Sequence, residues 1–134
     1  MAVRPSEYWR HEIAEEARAV ADGTITLDCT SFLGVYSEGF LEAVDAALAD
    51  FEVEIRQLGA AASDAQILAA IERVVLALNS VSQGVAGGVI DTDEREQLCL
   101  FIDEVMTENG IEVGELAARH GVSRYAITDR WRRW

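Results

Sequence analysis

A chain of 134 residues, half of them hydrophobic and about a quarter charged, has the makeup of a globular domain and not of a disordered segment. Its 24 acids stand against 11 arginines and no lysine, a formal charge of −13 that argues against general affinity for nucleic acid or anionic membranes. The N-terminus is too polar for a signal peptide and no run approaches the roughly 18 apolar residues of a membrane span, so a soluble cytoplasmic protein without membrane contact is expected.

Ser6, between Pro5 and Glu7, reads as the N-cap of a first helix reaching about Ala21. Trp9, Ile13, Ala17 and Val20 recur at helical spacing on its inner face, with Glu12, Glu15, Glu16 and Arg18 outside. Asp22-Gly23 ends it. The stretch GTITLDCTS (23–31) alternates β-branched residues but is short and has no partner strand, so a loop is expected there. A second helix spans about Ser37 to Leu58. Leu41, Val44, Leu48, Phe51, Ile55 and Leu58 form an a/d seam suited to packing inside a bundle, a dimerisation seam being the alternative.

Gly59 to Ser63 is a turn, and Ser63-Asp-Ala-Gln66 is a capping box that starts a third helix running to about Ser82. Only Glu72 and Arg73 are charged between Ile67 and Val81, which predicts a central helix buried on most sides. GVAGG (84–88) then breaks the chain into an acidic three-helix region, 1–88, and a C-terminal unit, 89–134, which can pack together as one domain. A fourth helix over Asp93 to Glu108 buries Leu98, Phe101, Ile102, Val105 and Met106, and Asn109-Gly110 stops it. A short fifth helix runs from Val113 to His120. A sixth starts after Ser123 and continues to Trp134.

The charge is uneven along this all-α chain. Residues 1–89 carry 14 acids and 5 arginines, residues 90–123 carry 9 acids and 2 arginines, and the last eleven carry Asp129 against Arg124, Arg130, Arg132 and Arg133. The basic end coincides with a motif. Leu116-Ala117, three residues, Gly121-Val122-Ser123, three residues and Ile127 resembles the helix-turn-helix of bacterial DNA-binding proteins, within residues 91–134. Ala117 would let two helices approach, Gly121 would supply positive φ, Val122 would tuck into the hinge, and Ile127 with Trp131 and Trp134 would dock the last helix. The resemblance implies a helical bundle with a C-terminal three-helix helix-turn-helix-like unit. It also implies a DNA face of Ser123, Arg124, Tyr125, Thr128, Asp129, Arg132 and Arg133. Asp129 departs from that pattern, because a carboxylate repels phosphate unless an arginine holds it.

No catalytic, metal or cofactor site emerges. His11-Glu12 lacks the second histidine of a zinc-binding helix, Asp91-Thr92-Asp93 has Glu96 where a calcium loop needs glycine, and Gly84–Gly88 lacks a phosphate-loop lysine. Cys29 and Cys99 fit no metal or redox spacing and read as small buried hydrophobes in a reducing compartment. Two non-enzymatic functions remain: a homodimeric transcriptional regulator that binds DNA, or a protein-interaction module (adaptor, immunity-type or nucleic-acid mimic) whose acidic helices take a protein partner.

Overall fold

A computed structural model describes residues 2–83 and 88–134. Five α-helices follow in order: α1 Pro5–Ala21, α2 Glu38–Leu58, α3 Asp64–Val81, α4 Thr92–Glu108 and α5 Val113–Arg119. Single 3-10 turns lie at Leu27–Cys29 and Arg124–Ala126, and no strand occurs among the described residues. The all-α class is as expected. None of these helices is long and apolar enough to cross a membrane. The glycine break expected over 84–88 falls, except for Gly88, outside the described residues.

Helix α1 starts differently from the expectation. Pro5 takes the first helical position, where its fixed φ and missing N–H are both harmless, and Arg4 is the uncapped residue before it. Ser6 is therefore inside the first turn, almost wholly buried, and its hydroxyl donates to the Asp45 carboxylate. Arg4 forks onto Glu52 at 3.0 and 2.9 Å, and Arg10 reaches Asp45 at 2.7 Å and Glu38 at 2.9 Å, so polar side chains join α1 to α2 along its length. Ala17, expected inside, is exposed. Glu16, expected outside, accepts from the backbone N–H groups of Ser31, Phe32 and Leu33 and holds the connection to α2.

Ser37 caps α2 by accepting from the Phe40 N–H, and the capping box of Ser63 and Gln66 starts α3. The two helices form an antiparallel hairpin across the short 59–63 turn. The α2 seam residues Leu41, Val44, Leu48, Phe51 and Ile55 are buried within the chain, which removes that seam as a dimer contact. One helix of the pair is less enclosed than its composition suggested: α3 leaves Leu76 46% exposed.

In α4 the five expected inward residues are all buried. They share one continuous hydrophobic core with Trp9, α2, α3 and Ile127, so both sides of the glycine break contribute to the same interior. At the junction of α1, α2 and α4 the rings of Trp9, Tyr36 and Phe40 stack, with Tyr36 and Phe40 centroids 4.9 Å apart. Their polar tips are satisfied: Trp9 Nε1 donates to Gln97 at 2.6 Å and Tyr36 Oη to Glu94 at 2.7 Å. Cys29 is exposed, against expectation, and Cys99 is partly covered.

The Tyr36 phenol is pushed well up, by burial first and then by its bond to Glu94, and burial raises the Cys99 thiol too. Both groups are held neutral in the fold, so their stabilisation is complete below their unfolded values, about 8.5 for thiol and 10 for phenol. It falls as pH rises beyond them, by up to about 1.4 kcal/mol per pH unit and group. With no lysine in the chain, the alkaline limb is sparsely populated by other titrating side chains. Urea unfolding between pH 9 and 11 (about one unit either side of the phenol value) is expected to show this decline. Tyr36→Phe should flatten the part above the phenol value, and an unchanged slope would reject the assignment.

Candidate functional site

The terminal segment begins as the helix-turn-helix pattern anticipates. Leu116 and Ala117 are fully buried on α5, and Gly121 has φ +73. The corner closes through bonds from the His120 and Val122 N–H groups to the Ala117 carbonyl, at 3.0 and 3.1 Å. Val122 does not tuck into this corner. It is 42% exposed and lines a hollow of about 470 Å³ shared with Leu68 and Trp131.

Beyond Ser123 the structure departs from the expected sixth helix. The backbone makes the 3-10 turn Arg124–Ala126, continues as turns through Trp131, and then runs irregularly. Asn79 of α3 holds the end of this segment. Its amide nitrogen donates to the Trp131 carbonyl at 2.8 Å and its amide oxygen accepts from the Arg133 N–H at 2.9 Å. A continuous α-helix would send the Arg133 N–H to the Asp129 carbonyl, so the side chain competes directly with helix formation. Ile127 is buried and Trp131 half-buried, as a docking stripe requires.

The seven residues of the expected DNA face do not form one surface. Ser123 and Arg133 are exposed, and Tyr125 is 75% exposed. Thr128 is only 2% exposed and its hydroxyl lies 3.6 Å from the Cys99 sulfur, so it faces α4 and not solvent. The reason is register: without the α-helix, Thr128 turns inward beside Ile127. Arg124 grips Asp103 through two bonds of 2.7 and 2.6 Å, which raises its already high pKa further. Arg132 donates to Asp129 at 2.7 Å and to the Trp134 carbonyl at 2.8 Å. Asp129 is thus held by an arginine, the condition under which its place in the pattern is tolerable.

Nearby, Arg119 and His120 both meet Asp64 at the start of α3, and the Arg119 guanidinium chiefly holds that carboxyl down to about 2. Arg130 lies over the Trp131 ring, 5.4 Å from its centroid, and Arg132 at the same distance from Trp134. Between α4 and the terminal segment opens a cleft of about 380 Å³, with Arg95, Glu96, Cys99, Leu100 and Asp103 on one wall and Arg124, Tyr125, Ile127, Thr128 and Arg132 on the other. Sequence periodicity finds the inward face of α4. It does not find this second, lateral face, which exists only because the terminal segment docks beside it. No protein-family model, curated protein or solved structure matches the chain.

Proposed function

We propose that this chain is a non-enzymatic protein-interaction module of the reducing cytoplasm, an adaptor- or immunity-type protein that takes a basic partner on its acidic helical surface. The observation that carries this is the fate of the basic charge. Arg119, Arg124 and Arg132 are each tied to a carboxylate within the chain. The acids of α4 are not balanced in the same way. Asp93 and Glu96 are three residues apart, Leu100 is four from Glu96 and Glu104 four further on; the three acids are exposed and Leu100 is 52% exposed. None of the three makes an ion pair among the described residues. An exposed apolar side chain on the same helix as carboxylates without ion pairs suits a basic protein surface and speeds its approach.

The test is a partner captured by cross-linking in the source cells, purified and titrated against the intact chain. Changing Asp93, Glu96 and Glu104 together to their amides should weaken binding by about tenfold or more and flatten its salt dependence. A neutral or acidic partner, or one indifferent to these changes, would reject the reading.

A second reading has its own support. The buried Ala117 and Ile127 and the positive φ of Gly121 suit a helix-turn-helix corner, and Arg130 and Arg133 are exposed without a carboxylate partner among the described residues. On this reading the chain is a transcriptional regulator that binds DNA as a homodimer. Fluorescence anisotropy against genomic duplexes at about 50 mM salt decides it, since phosphate contacts are strongest there. Binding abolished by Arg130→Ala with Arg133→Ala would favour DNA, and no binding would exclude it.

A further inference from the structure

The cleft between α4 and the terminal segment gathers three of the eleven arginines of this acidic chain: Arg95, Arg124 and Arg132. Its floor is apolar, made by Leu100, Ile127 and the Cys99 thiol, and the exposed Tyr125 ring stands at its mouth. Two carboxylates, Glu96 and Asp103, share the lining, and Arg132 is held by Asp129. Asp103 is already occupied by Arg124. Arg95 forms no ion pair and no side-chain hydrogen bond among the described residues. The volume of about 380 Å³ falls within the range of small-molecule sites, and apolar walls with a few convergent polar groups are their usual chemistry.

We propose that this cleft binds a small organic monocarboxylate with an aromatic or branched aliphatic body. The carboxylate sits on Arg95, and the body lies against Leu100 and Ile127 under the Tyr125 ring. Arg95, the one lining guanidinium without an ion pair among the described residues, matches one carboxylate. Glu96 at the rim repels a second negative group. This site shares Glu96 and Leu100 with the partner surface proposed above, but the carboxylate head is taken by Arg95 and not by the acidic stripe.

Phenylpropionate is the probe, titrated into the intact chain and followed by amide chemical-shift mapping. Phenylpropanol and phenylpropylammonium serve as neutral and cationic controls. Saturable shifts confined to residues 95–103 and 124–132 are expected, with both controls weaker by about tenfold or more. Arg95→Gln should weaken the acid by about tenfold while leaving the dispersion of the spectrum intact, and Arg95→Lys should recover part of it. Absence of saturation, shifts elsewhere, equal binding of the alcohol, or an unchanged affinity in Arg95→Gln would each overturn the proposal. Displacement of phenylpropionate by a short DNA duplex would overturn it in favour of phosphate at the same arginines.

Discussion

Replacing Trp9 by alanine is expected to cost about 3–5 kcal/mol, the largest loss from any single change considered for this chain. Trp9 is fully buried where α1 meets α2 and α4, stacked on Tyr36 at 6.0 Å and Phe40 at 6.3 Å. Its removal takes away the largest side chain of that junction, two ring contacts and the Nε1 donor to Gln97. The neighbours are themselves rigid rings, so the space left behind closes poorly. A domain of this size has only about 5–15 kcal/mol in total, and the variant should therefore sit close to unfolding at ambient temperature. Urea denaturation followed by circular dichroism measures it. A loss below about 2 kcal/mol would mean that the junction can collapse and that the stacked rings are not a rigid wall.

Asn79→Ala should act on the other end of the molecule. Two hydrogen bonds to the terminal backbone disappear together, and at about 0.5–1.5 kcal/mol each the expected loss is about 2 kcal/mol. The more informative readout is local. With the Trp131 carbonyl and Arg133 N–H released, the segment loses its tether to α3, and the half-buried Trp131 and Trp134 should shift their emission to the red. If the helix-turn-helix reading holds, the released segment is also free to wind into the helix it lacks, and DNA affinity should rise in this variant. Unchanged tryptophan emission would show that side-chain packing of Ile127 and Trp131, not Asn79, holds the segment.

These two residues illustrate what is legible in the amino-acid pattern and what is not. The seam from Leu41 to Ile55, the Ser63 capping box, the inward face of α4 and the positive φ at Gly121 are all local signals, each set by spacing or by one residue's stereochemistry, and each is found in the structure. The departures come from partners distant in the chain. Ser6 looks like a cap because serine before an acidic turn usually is one, but Pro5 fixes the helix start two residues earlier and Asp45 claims the hydroxyl. The segment after Ser123 has helical periodicity but middling helix formers, and a short helix of that kind depends on its surroundings. Its surroundings include Asn79, 54 residues away from Arg133, which accepts from the N–H that a helix would use.

For the candidate site the same division holds. The arginines are visible as a charge anomaly, and so is the need for one of them to hold Asp129, but the pairing with Asp103 and Asp64 is not, because those acids belong to other helices. A lone asparagine inside the apolar run of α3 was the available hint. Polar side chains are rarely placed there without a bond to make. It marked the docking of the terminal segment, and with it the lateral cleft on α4 and the inward turn of Thr128.

The Glu16 carboxylate carries a consequence for the connection between α1 and α2. Residues 22–37 have almost no regular structure of their own, and three successive peptide groups, at Ser31, Phe32 and Leu33, all rest on the two oxygens of one side chain. Such an arrangement has no partial state: when that side chain swings away, the three amides are unfastened together. The connection therefore opens as a single latch, held or released, and its timing is set by one rotamer on the surface of α1.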